Sequence, residues 1–109
     1  MADWLDIRIS AHGSHQTLPR AAGLRVRLPE NPTTGFRWVL LTSGTLRPVA
    51  DSFSPGAMGI DTGVGAAGWR QFELAPITVG LQRVELVLRQ AWDAGAVPLE
   101  RLAFTVEVV

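Results

Sequence analysis

Leu5, Ile7 and Ile9 alternate with Asp6, Arg8 and Ser10, and the same two-residue period returns along the chain. Leu24, Val26 and Leu28 flank Arg25 and Arg27, and Phe36, Trp38 and Leu40 share one parity with Arg37 on the other. Phe72 and Leu74 alternate with Gln71 and Glu73, Val84, Leu86 and Leu88 with Arg83 and Glu85, and Phe104, Val106 and Val108 with Thr105 and Glu107. Successive strand side chains point to opposite faces, so each run predicts a strand with an apolar face on a shared core and a charged face in water. Gly and Pro punctuate the runs, and no stretch keeps helical periodicity for the ten or so residues a helix needs. The signal is weakest over 43–62, where Leu46, Val49 and Phe53 predict one or two short strands and 56–63 a loop. Six or seven short strands, with Trp38 on the third, predict an all-β immunoglobulin-like antiparallel β-sandwich of seven or eight strands. Val26, Trp38, Leu86 and Val106 belong to its core. The Cys pair of antibody domains is absent, so the likeness is one of architecture.

Composition narrows the function. The 109 residues fit a single domain over 1–109, long enough to bury a core without disulfides or metals. Ten basic residues balance ten acidic ones, which removes any general attraction to nucleic acid or anionic membrane. No apolar run approaches the roughly 20 residues that span a bilayer. Without Cys there is no disulfide framework and no thiol chemistry. Every basic residue is Arg, Lys and Tyr are missing, and Asn31 is the single Asn. These depleted types share A/T-rich codons, which suggests a GC-rich bacterial genome and makes the position of the one Asn more telling. Residues 1–6 carry no basic region followed by an apolar stretch, so the chain as given is expected in the cytoplasm, or in the periplasm or outside the cell if a leader has been removed. It is expected to be a monomer.

Three segments could carry function. In the first, Asn31, Pro32, Thr33, Thr34, Gly35 and Phe36 lead into Arg37 and Trp38. Pro32 fixes φ and lacks an N–H, Gly35 can take positive φ, and Asn31 and both Thr can bond their own backbone. A rigid turn with small polar tips should result, entering a strand anchored by Phe36 and Trp38; by itself it could be an ordinary turn. The second segment, Gly63, Val64, Gly65, Ala66, Ala67 and Gly68, matches G-x-G-x-x-G. The dinucleotide reading is refused, because that fingerprint needs a strand before it and a helix opening within it, whereas Trp69 to Leu74 follow with strand period. The third segment runs through Leu88, Arg89, Gln90, Ala91, Trp92 and Asp93, where Trp92 lies past the alternating strand and is expected to be exposed.

The string from Asn31 to Phe36, followed by Trp38, resembles the signature of the chagasin-like family of cysteine peptidase inhibitors. The likeness covers nearly the whole chain. The family's other marks are a mid-chain Gly-x-Gly-Gly, matched by Gly65, Ala66, Ala67 and Gly68 with Ala67 in a glycine's place, and an Arg-Pro-Trp/Phe segment. Aligning Trp92 with that aromatic puts Gln90 on the Arg and Ala91 on the Pro, with Arg89 one residue earlier. The resemblance implies three loops at one end of an immunoglobulin-like sandwich that enter the cleft of papain-like cysteine peptidases and block it uncleaved. On that reading the peptidase-binding residues are Asn31, Pro32, Thr33, Thr34, Gly35 and Phe36, then Gly65, Ala66, Ala67, Gly68 and Trp69, then Gln90, Ala91 and Trp92. The protein would be no enzyme and need no cofactor.

The remaining constellations point nowhere sharper. His12 and His15 have H-x-x-H spacing, but a zinc site takes about four ligands and none nearby completes it. Ser54, Asp61 and a His could be named as a triad, yet no Ser sits in a G-x-S-x-G elbow. The alternative function is an immunoglobulin-like interaction or carbohydrate-binding module whose 31–35 segment is only a turn. Convergence of Thr33, Gly65 and Trp92 at one end of the fold separates the two, since only inhibition requires it.

Overall fold

The computed structural model describes residues 3–55 and 67–109. Eight strands form two four-stranded sheets: β1 (Trp4–Ile7), β2 (His15–Leu18), β3 (Gly23–Glu30), β4 (Phe36–Thr42), β5 (Arg47–Pro55), β6 (Gly68–Ala75), β7 (Gly80–Gln90) and β8 (Glu100–Val108). One sheet has the order β1-β3-β6-β5 and the other β2-β8-β7-β4. Among the described residues, helical structure is limited to two 3-10 turns, Ile9–Ala11 and Pro32–Thr34. The expected sandwich of seven or eight strands is observed with eight among the described residues.

Alternation places the core. Leu24, Val26 and Leu28 from one sheet meet Trp38, Val84, Leu86, Leu102 and Val106 from the other, all essentially without solvent contact. Each such side chain contributes roughly 1.5–3 kcal/mol by leaving water. Trp38 fills the space between the sheets and donates its indole N–H to the Pro29 carbonyl at 2.9 Å, so its polar atom is satisfied inside the core.

The structure departs from the sequence reading at the sheet edges. The expectation of antiparallel pairing holds for the four central pairings, whereas β1 pairs with β3 and β2 with β8 in parallel. A parallel pair needs a connection that returns to the starting end, and residues 8–22 supply one by passing through the other sheet. His15, in a stretch that gave no strand signal, opens β2, a strand whose single fully buried residue is Leu18. In the weak 43–62 segment the described residues contain one nine-residue strand, β5, with a register shift between Pro48 and Ala50, and the expected 56–63 loop lies outside the described residues.

Register brings three connections to one end. Glu30 pairs with Gly68 and Pro55 also pairs with Gly68, so the β3 exit and both ends of the β5–β6 connection lie together. Phe36 pairs with Gln90 and Leu88 with Glu100, so the β4 entry and both ends of the β7–β8 connection lie at the same end of the second sheet.

Candidate functional site

The 31–35 turn is built from its own side chains. Asn31 caps the 3-10 turn: its Oδ1 accepts the Thr33 N–H at 3.1 Å and the Thr33 hydroxyl at 2.7 Å. The Thr34 hydroxyl donates to the Asn31 carbonyl at 2.7 Å and accepts the Phe36 N–H at 3.2 Å. Pro32 at the first position has no N–H to leave unpaired. Gly35 closes the turn at φ 80°, in the left-handed region, with its N–H on the Pro32 carbonyl. Thr33 and Thr34 are exposed, so what they present outward is small and preordered.

Beneath the turn lies a buried charge network that the sequence reading missed. Glu30 and Arg70 are both nearly inaccessible. Glu30 Oε2 accepts from Arg70 Nη2 at 2.8 Å and Nε at 3.1 Å, while Oε1 accepts the Trp38 N–H at 2.7 Å. Arg70 Nη1 reaches Asp51 at 3.1 Å, and Asp51 also meets Arg37 at 3.6 Å. Burial disfavours the Arg70 charge, but Glu30 and Asp51 outweigh it and hold the guanidinium above its ordinary pKa. The network ties β3, β4, β5 and β6 together where the loops leave. Its members are single charges on alternating runs, and nothing in their spacing announces that they meet.

Trp92 joins the β7–β8 loop to the 31–35 turn. It is 72% exposed, yet its ring lies over Gly35: a methyl group built there would come 2.7 Å from Trp92 Cη2. Gly35 is thus required twice, by its φ and by the ring. The β7–β8 connection is held by Asp93 N–H on the Gln90 carbonyl, Ala96 N–H on the Asp93 carbonyl and Leu99 N–H on the Leu88 carbonyl. Val97 and Leu99 are exposed beside Trp92. Gln90 ends β7, and Ala91 is exposed.

In the β5–β6 connection, Gly65 and Ala66 lie outside the described residues. Ala67 is exposed. Gly68 is buried against β5, where a side chain would collide with the Ser54 carbonyl and the Phe53 ring; its place in the fold is a packing one. Trp69 is half-buried on the outer face, with the Arg27 guanidinium 5.2 Å from its ring centroid. Among the described residues, then, the turn and Trp92 converge directly and Trp69 flanks them.

The histidines sit elsewhere. His12 Nδ1 accepts the Ala103 N–H at 3.0 Å, and His15 Nδ1 is 2.8 Å from the Thr105 hydroxyl. Both are used in fastening the β2 edge to β8.

Comparison with known proteins agrees with this geometry. Residues 17–108 match the model of the chagasin family of peptidase inhibitors, I42. The chain belongs to that family. Amoebiasin-2 of Entamoeba histolytica is 27% identical over 88 residues, spanning 78% of this chain and 69% of the relative. The fold is similar to the crystal structure of the cysteine protease inhibitor EhICP2 from Entamoeba histolytica, with a TM-score of 0.84 at 18% identity over 98% of this chain and 96% of the other. It is also similar to PbICP-C, solved in complex with falcipain-2, with a TM-score of 0.61 at 16% identity over 100% and 93% of the two chains.

Proposed function

We propose that this chain is a reversible inhibitor of papain-like cysteine peptidases, acting by occupation of the active-site cleft and without chemistry of its own. The observation that carries the reading is the meeting of Trp92 with Gly35, which fuses the β3–β4 turn and the β7–β8 loop into one wedge at one end of the sandwich. Preorganised loops lose little entropy on docking, so more of the contact energy appears as affinity. Thr33 and Thr34 form the small polar tip that faces the catalytic Cys, and Trp92 is the aromatic anchor on the cleft wall. Ala67 and Trp69 border the wedge on the other sheet. Resistance to cleavage follows from the backbone: Pro32–Thr34 is a 3-10 turn, so its peptide bonds are not offered in the extended form that attack needs. The neighbour described as a cysteine protease inhibitor and the one solved in complex with falcipain-2 support this target class.

The test is a titration of papain and of a cathepsin-L-type peptidase with the folded protein, with trypsin as the serine-peptidase control. Stoichiometric, dilution-reversible loss of the cysteine peptidase activities is expected, with trypsin unaffected. Full activity of both cysteine peptidases under a large excess of inhibitor would overturn the reading.

A further inference from the structure

Arg37 of β4 and Arg89 of β7 are direct cross-strand partners. Like charges placed opposite one another weaken a sheet pair, so the fold gains nothing from this arrangement. Both have the strand parity opposite to Trp38 and Leu88, one position below Phe36 and Gln90, where the turn and the Trp92 loop begin, and Arg37 reaches past the β4 edge to Asp51 of the other sheet. They line a groove of about 580 Å³ at that edge together with Ala91, Trp38, Asp51 and Phe72.

The local charge is not balanced. Among the described residues the ion pairs at this end are Arg70–Glu30, Arg70–Asp51 and Arg37–Asp51. Asp51 is shared between two guanidinium groups, and Arg89 has no carboxylate partner among the described residues. Asp93 and Glu100 are the other described carboxylates near these loops, and neither pairs with Arg37 or Arg89. Further down the same face, Arg101 and Arg83 share Glu85. The outer face of this sheet therefore sets Arg37, Arg83, Arg89 and Arg101 against Glu85 and Glu107, in a chain whose net charge is zero.

We infer that Arg37 and Arg89 form a recognition patch for an acidic rim beside the cleft of the target peptidase, selecting targets with carboxylates on the side that faces the β4–β7 ladder. The inference rests on the inhibitor reading above and deepens it. Arginine suits the role, since its fork binds carboxylates in pairs. A rim contact of this kind acts chiefly on the association rate and fades with salt, because exposed charges are screened beyond about 10 Å at 0.1 M ionic strength.

The experiment measures association rate constants by stopped flow for the parent, Arg89→Gln and Arg83→Gln, at about 25 mM and 250 mM salt. The probe is a cathepsin-L-type peptidase inhibited by the parent and bearing carboxylates along its cleft rim. Arg89→Gln should slow association about tenfold at low salt and about twofold or less at high salt, with the dissociation rate little changed. Arg83→Gln, on the same face but far from the loops, should match the parent. Because a like-charge pair is relieved, the melting temperature of Arg89→Gln should stay level or rise, a combination that a merely structural Arg89 cannot give. A parent that inhibits while Arg89→Gln associates at the parent rate with the same salt dependence overturns this inference alone. Failure of the parent to inhibit any cysteine peptidase overturns the functional reading and this one with it.

Discussion

The 31–35 turn and the 91–99 loop reach the same end of the molecule by opposite means. The turn satisfies its own polar groups: Asn31 answers Thr33 twice, and Thr34 answers both Asn31 and Phe36. Its order is written in six consecutive residues. The loop has no such internal side-chain web. It leaves Trp92, Val97 and Leu99 in water, which folding alone does not favour, and it lacks a proline at Ala91. Its order is lent by the neighbour, through the Trp92 ring on Gly35. The difference teaches that one loop can serve as the platform for another, and that the platform needs a footing. The Glu30–Arg70 pair under Trp38 is that footing.

Removing the footing should have the largest effect. Glu30→Ala leaves Arg70 buried with only the shared Asp51 and strips the acceptor from the Trp38 N–H. A broken buried pair typically costs about 3–5 kcal/mol, so a melting temperature lower by more than about 10 °C is expected for a domain of this size. An unchanged melting point would show that the loops do not depend on this network. Trp92→Ala comes next, and it acts on the other side of the comparison. Truncating an aromatic anchor typically costs about 2 kcal/mol or more in binding, or roughly 30-fold in the inhibition constant. The melting temperature should move by no more than about 2 °C, since the ring is mostly solvated. A variant that inhibits as well as the parent, or that loses inhibition only by unfolding, would make Trp92 a structural residue and erase the distinction between the loops.

What could be read from the sequence follows the same division. Runs with one buried face were legible, because Val26, Leu86 and Val106 repeat at the period of the pleat. The turn was legible because Asn31, Pro32, Thr33, Thr34 and Gly35 act on each other within hydrogen-bonding reach along the chain. Two of the four edge strands, β5 and β2, were not clearly so. In β5 both faces meet water over most of its length, so Val49 and Phe53 give no alternation, and the buried residue that locates it, Leu46, precedes the strand. The short β2 buries only Leu18 fully and carries too few apolar residues to declare itself. The Glu30–Arg70 pair was invisible for another reason: its partners are 40 positions apart and meet only once β3 and β6 are in register. Trp92 could be placed outside the strands by pattern, but its contact with Gly35 depends on the register of β4 against β7.

Two smaller effects sharpen the contrast. Asn31→Ala removes the acceptor for both Thr33 donors. A lost N-cap of this type costs about 1 kcal/mol, and the loss should appear as faster amide exchange over 33–36 and a several-fold weaker inhibition constant, with the core amides unchanged. If exchange over 33–36 does not change, the turn is not held by its own side chains.

The smallest expected effect runs in the opposite direction. Ala91→Pro gives the Trp92 loop a stiffness of its own. Gln90, the preceding residue, ends β7, and the extended backbone is what a following proline requires. Among the described residues the Ala91 N–H donates to no backbone carbonyl, so the ring replaces no hydrogen bond. Where the native conformation accepts it, such a substitution stabilises by about 0.4–1 kcal/mol, chiefly by restricting the unfolded chain. A modest rise in melting temperature is expected, together with about two- to fivefold tighter inhibition, because less loop entropy remains to be lost on docking. The informative form of the measurement is the double variant with Gly35→Ala. In Gly35→Ala the methyl group displaces the Trp92 ring and the left-handed φ is strained, so inhibition should weaken. If the loop draws its order from the turn, adding Ala91→Pro to Gly35→Ala should recover more binding than the same proline gives the parent. Equal gains in the two backgrounds would mean that the loops are ordered independently, and that the Trp92–Gly35 contact only records their proximity.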